Sequence, residues 1–217
     1  MFLFILLTIL PIEEHLVYKI KYGPINAGDL TLDLKRDTLG KNIIKCTEKT
    51  TGFVSSIFKI DDWYISISDS NFVTEEFEKY IREGKYRKHQ HLKIKNGIAQ
   101  YQKDTVSVIE NAKDIINVWF WLRTQKLIPD TGLPENTLIV PLHADKKNHS
   151  IKVNVKKEKK NGKIHTIVVP ELKGIKAFGA DGELIFYYDA DMVPVEFKIK
   201  FLWGFLHAEL KDRQWKE

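Results

Sequence analysis

From His15 onward, apolar and polar residues alternate along the chain with a period of two. Leu16, Tyr18, Ile20 and Tyr22 alternate with Val17, Lys19 and Lys21. Leu30, Leu32 and Leu34 alternate with Thr31, Asp33 and Lys35, and Ile151, Val153 and Val155 with Lys152, Asn154 and Lys156. Successive side chains of a strand point to opposite faces, so the pattern predicts antiparallel strands with one face buried and one in water. Asn96-Gly97, Asn161-Gly162 and Asp181-Gly182 separate such runs with residues that accept positive φ, as a tight hairpin requires. About a dozen strands follow. No internal repeat is visible, and no linker is long enough to divide the chain.

Asn111–Leu127 (NAKDIINVWFWLRTQKL) departs from this period and contains no Gly or Pro. It predicts a helix of about four turns. Ile115, Trp119 and Leu122 share one face, Ile116 and Phe120 lie beside it, and Val118 and Trp121 fill most of the rest. A helix apolar nearly all round is buried on several sides. The fold expected is therefore mainly β: a long, strongly curved, half-barrel-like antiparallel sheet packed on one buried apolar helix near 111–127. Residues 13–217 form a single domain.

Ahead of the first strand, Phe2–Leu10 (FLFILLTIL) is apolar except for Thr8, and Pro11 closes it. The run is too short to span a bilayer, which takes roughly 20 residues, and suits the apolar part of a secretory signal. A positive residue before it and a small-x-small site after it are both missing. Residues 1–12 are thus expected to be an incomplete signal sequence, cut near Ile12 to His15, and the protein to be exported to the periplasm or cell envelope. Cys46 (IIKCTEK) lacks the small residues that precede a lipid-modified cysteine.

Composition narrows the classes further. With 217 residues, 43% hydrophobic and 29% charged, the chain is neither disordered, collagen-like nor a polytopic membrane protein. A lone cysteine excludes an internal disulfide and a thiolate zinc cluster. A net charge of +5 is too mild to imply nucleic acid. Lysine outnumbers arginine 29 to 5, which fits a thermophile or an AT-rich genome.

Catalytic signals are weak. His89 and His91 share a strand face, as two metal ligands would, but Arg87, Lys88, Lys93 and Lys95 surround them, so a solvated face is expected. No GxSxG, SxxK or phosphate-binding glycine loop appears, and no cofactor is implied. Cys46 reads as a small buried strand residue. Seven acids between Asp61 and Glu83 include Asp61-Asp62, which point to opposite faces and read as a solvated turn rather than a glycan-cleaving pair. The basic segments Arg82–Lys95 and Lys146–Lys163 suit solubility, edge protection or peripheral contact with an anionic membrane, not nucleic acid, because the second has no aromatics to stack on bases. Of the tryptophans 63, 119, 121, 203 and 215, two lie on the helix, where they fill a core or line a groove.

The opening LVYKIKYGPINAGDLTL carries Tyr18, Gly23, Ile25, Ala27 and Gly28. A central segment runs from Asp114 through WFWLR to Arg123, and YYDADMVPVEFKIKFLWGFLHAEL near the end places Asp191, Pro194 and Val195. Together these resemble the bacterial envelope family catalogued as domain of unknown function 3108, from about residue 13 to the end. The resemblance implies export, a curved β-sheet similar to that of periplasmic lipoprotein carriers, and no established activity. Tyr18, Gly28, Asp114, Asp191 and Pro194 are then structural motif residues. The expectation is a non-enzymatic envelope protein binding a lipid or other apolar ligand. Trp119, Phe120 and Trp121 would supply contacts, and Arg123 would meet either an anionic headgroup or the helix carbonyls. A structural or adaptor module engaging an envelope protein partner is the competing class, and an envelope glycan hydrolase a weaker third.

Overall fold

The period-two segments become strands because each places its apolar residues on one face. In the computed structural model, residues 10–125, 135–160, 163–172, 184–201 and 204–217 are described. Among them lie β1 (Glu13–Tyr22), β2 (Ile25–Arg36), β3 (Asn42–Thr50), α1 (Gly52–Ile57), β4 (Asp61–Ser68), β5 (Thr74–Glu83), β6 (Tyr86–Lys95), β7 (Ile98–Tyr101) and β8 (Thr105–Ser107). They continue with α2 (Asn117–Thr124), β9 (Glu135–Ala144), β10 (Lys147–Lys160), β11 (Lys163–Pro170), β12 (Leu184–Tyr188), β13 (Pro194–Phe201) and β14 (Gly204–Lys216). Asn96 and Gly97 both take positive φ, as the hairpin requires. Asn161-Gly162 and Asp181-Gly182 lie outside the described residues.

All fourteen strands form one antiparallel sheet in the order β8-β7-β6-β5-β4-β3-β2-β1-β14-β13-β12-β11-β10-β9. The ladder does not close, yet its two edges meet. Tyr101 Oη lies 2.8 Å from His143 Nε2, Asp145 accepts bonds from Lys79 and Lys88 at 2.8 and 2.9 Å, and Asn148 Nδ2 donates to the Ser107 carbonyl at 2.8 Å. Between them, Lys113 bridges to β9, with its N–H on the Pro141 carbonyl and its carbonyl accepting the His143 N–H. A sheet whose ends touch is strongly curved, and the accumulated strand twist gives it a barrel-like form.

The helix packs inside the curve. Trp119 sits 4.3 Å from Phe186 on β12, and Val118, Trp119, Phe120 and Leu122 are all buried. It spans Asn117–Thr124, shorter than the 111–127 expected, and Asp114 is the physical reason. One Asp114 oxygen accepts the N–H groups of Ile116 and Asn117 at 2.8 and 2.9 Å, and the other accepts the Ser66 and Thr74 hydroxyls. A side chain spent on the first free N–H groups starts a helix rather than continuing one. Burial raises the Asp114 pKa against the lowering effect of these four bonds.

The sheet also reveals the internal repeat not visible in the sequence. Ser68–Phe77 and Tyr188–Phe197 build the same turn: Asp69 and Asp189 each accept the N–H groups two and four residues on, and Phe72 and Met192 take φ of 59° and 56°. A register shift falls at Ile67/Ser68 in one and at Tyr187/Tyr188 in the other. Four matching residues (Asp, Val, Glu, Phe) are too few to announce it. Asp37 repeats the device between β2 and β3, with Gly40 at the positive-φ position. These three turns lie at the α2 end of the sheet. Leu10 joins the core and Ile12 joins the ladder beside β1, so ordered sheet begins ahead of Glu13.

Candidate functional site

Apart from Gly28, the sequence-selected residues gather at the α2 end. Tyr18, Trp119, Phe120, Arg123 and Pro194 surround a crevice of about 10 Å³ with Leu30, Leu32, Phe186 and Phe197. That is space for roughly one water and no ligand. Tyr18 donates to the Pro194 carbonyl at 2.7 Å and packs 5.3 Å from Phe197. Trp119 and Phe120 fill the core, while Trp121 is half-buried with the Lys113 ammonium 4.8 Å from its ring centre. Asp191 is exposed in the Asp189 turn.

Arg123 meets neither a headgroup site nor the helix carbonyls. It is 2% exposed, and its guanidinium forms a two-point ion pair with Glu14, Nη2 to Oε1 being 3.0 Å, while Nε donates to the Met192 carbonyl at 2.8 Å. Arg213 adds a third contact to Glu14 at 2.9 Å. Glu14 was missed because it follows closely on the apolar run Phe2–Leu10 and Pro11. Its phase with Leu16 and Tyr18 was the available signal that it points inward.

An apolar space lies at the opposite end. A cavity of about 480 Å³, within the size range of small-molecule sites, lies between the sheet and α1. Its wall is largely aliphatic: Ile20 from β1, Ala27 and Leu30 from β2, Ile199 from β13, Leu206 and Ala208 from β14. Val54 and Phe58 cover it from α1 and the residue after it. Leu30 and Phe197 line both this cavity and the crevice beside α2, and so separate the one from the other.

Gly28 shapes the wall. The β1–β2 register shifts between Ile20 and Lys21, leaving Ala27 as the extra residue, and a Cβ on Gly28 would stand 2.3 Å from the Lys49 carbonyl oxygen. Only a residue without Cβ lets β3 approach here. Gly28→Ala is expected to lower stability by about 1–3 kcal/mol, read as a fall in the urea midpoint.

Two acids face the cavity, Glu48 from β3 and Glu83 from β5. Glu48 pairs in register with Asp62 on β4. Asp61 and Asp62 are thus strand residues, not a solvated turn: Asp61 faces out to Lys49 and Arg82, while Asp62 is buried and accepts the Arg82 N–H at 2.6 Å. Glu48 is about nine-tenths buried, and its Oε1 has no hydrogen-bond partner among the described residues. Burial, then the Asp62 and Glu83 charges, push its pKa up to about 8. Asp62 is raised to about 6 for the same first reason, partly offset by the Arg82 N–H, with the neighbouring Glu83 and Asp61 acids adding to the rise. Cys46 and Glu48 follow Ile44 on one strand face, so phase again marked the inward acid.

His89 and His91 pair with Glu78 and Glu76 across the β5–β6 ladder at 2.7 and 2.6 Å, on a wet face as expected. Cys46 is buried in the sheet.

No curated protein matches the chain. A family model described as a protein of unknown function (DUF3108) matches residues 17–211. The crystal structure of a β-barrel-like protein of domain of unknown function DUF1849 from Brucella abortus is similar in fold. It is 7% identical, with a TM-score of 0.60, over 95% of this chain and 99% of that one. A DUF1329 family protein from Desulfovibrio piger, 10% identical over 96% of this chain and 87% of its own, has a TM-score of 0.21.

Proposed function

The chain belongs to the DUF3108 family of proteins of unknown function, and from its cavity we propose that it is an exported, non-enzymatic envelope protein that holds an apolar ligand. The observation that carries this reading is the 480 Å³ aliphatic space between α1 and the sheet. A hydrophobic wall of this kind gains roughly 25 cal/mol for each Å² of ligand surface it removes from water, before ordering costs. It offers little to a sugar, whose hydroxyls need donors and acceptors along the wall, so the acids here do not favour a glycan hydrolase. Phe53 and Ile57 of α1 are 74% and 71% exposed beside the mouth, and Lys59 is close behind. That rim suits loading from an anionic membrane surface.

Ala208 is buried on the cavity wall, where an indole would take up most of the space. Ala208→Trp is expected to weaken binding of pyrene, a neutral fluorescent hydrocarbon, by about tenfold or more, equivalent to roughly 1.4 kcal/mol. Trp121→Ala, at the other end, should leave it unchanged. Pyrene bound equally by wild type and Ala208→Trp would place the ligand elsewhere. Native mass spectrometry of protein purified without detergent then reports the natural cargo as an added mass that organic solvent removes.

A further inference from the structure

Resting on that reading, we propose that the cavity selects an apolar molecule whose polar end is an amine, held by the Glu48 carboxyl at the cavity wall. Three observations support this. Glu48 Oε1 is buried, lines the cavity and accepts no hydrogen bond from a described residue. A buried acceptor left unmet is costly, and a ligand donor placed there removes that cost. The neighbouring charged groups are also acids: Asp62 across the ladder from Glu48, and Glu83 on the cavity wall beyond it.

The nearby cations are engaged elsewhere. Lys49 and Arg82 both direct their charged ends to Asp61 on the outer face, 3.6 and 3.2 Å away, and neither forms an ion pair with Glu48 among the described residues. A long-chain carboxylate would bring a further acid to a wall that already carries Glu48 and Glu83 beside Asp62, and an alcohol would supply a donor without a charge to stabilise the ionised form of these acids. An ammonium supplies both, as a charge-assisted hydrogen bond in an enclosed site. The aliphatic wall from Ile20 to Ala208 takes the hydrocarbon part.

The test is displacement of pyrene from the full chain at neutral pH by dodecylamine, dodecanol and dodecanoic acid, which share one tail and differ in head group. Dodecylamine is expected to displace pyrene at about a tenfold lower concentration than dodecanoic acid, with dodecanol between them. Glu48→Gln keeps the shape and removes the carboxyl that an ammonium would ionise. It is expected to bind pyrene as wild type does and to bring amine and acid within about threefold of each other. Glu83→Gln should narrow the gap less. Equal displacement by amine and acid in wild type, or a preference that survives Glu48→Gln, overturns the amine assignment and leaves the apolar-ligand reading standing. Failure of wild type to bind pyrene overturns both.

Discussion

Replacing Arg123 with leucine is expected to cost about 3–5 kcal/mol of folding stability, the range for removing one partner of a buried ion pair. Glu14 and Arg123 are both almost wholly inaccessible, so the loss does not open the carboxylate to water. Arg213, a quarter exposed, still touches one Glu14 oxygen and offsets part of the cost. The same substitution removes the donor to the Met192 carbonyl, and with it the tie between α2 and the turn into β13. Urea unfolding at neutral pH measures the loss directly. The double variant Glu14→Leu with Arg123→Met should recover most of it, because an apolar pair of similar volume avoids the desolvation that the charges require. A single-variant loss under about 1 kcal/mol would show that packing of Trp119 and Phe120, not the ion pair, seats the helix.

Glu48 sets the second large effect, on the pH dependence of stability. Its folded-state pKa is raised to about 8 from an ordinary 4.5. Between those values the folded protein holds a proton that the unfolded chain has released. Stability therefore falls as pH rises from about 4.5 and levels off above about 8. At 1.36 kcal/mol per pKa unit the full loss approaches about 5 kcal/mol, with about 3 kcal/mol of it reached by neutral pH. Asp62, raised to about 6, adds in the same direction, less strongly because the Arg82 N–H stabilises its charged form. Glu48→Gln should flatten the slope and make the protein more stable than wild type by a few kcal/mol near pH 8, an amide being neutral throughout. Urea midpoints at pH 5, 7 and 9 for the two proteins decide it. Parallel curves would mean that Glu48 titrates as an exposed carboxyl.

The raised Glu48 pKa and the proposed ligand chemistry are one arrangement seen twice. An acid kept in an apolar wall without a partner destabilises the empty protein at neutral pH, and an amine bound there turns that cost into affinity. Natural proteins carry such locally unfavourable groups mainly at functional sites.

Periodicity alone determined most of the architecture. Alternation is local, and each strand shows its inward face within eight or so residues, so the antiparallel sheet and the buried helix were legible. Burial of Cys46 and the wet face of His89 and His91 followed from the same rule. Glu14 and Glu48 were legible in principle too, being in phase with Leu16 and Ile44. They escaped because a charge on an inward phase has no meaning until its partner, or its lack of one, is known. Arg123 stands 109 residues from Glu14, and nothing between them in the chain links the two.

Only the tertiary structure decided which end of the sheet is full and which is open. The helix residues were expected to face either core or groove, and both are apolar. Their fate turned on Asp114 starting the helix late, on the Glu14 ion pair drawing its last turn inward, and on the two edges meeting at Tyr101 and His143. These are contacts between strands far apart in sequence. They leave α2 as a plug and the space under α1 as the cavity, because apolar character depends on the residue whereas empty volume depends on what packs opposite it.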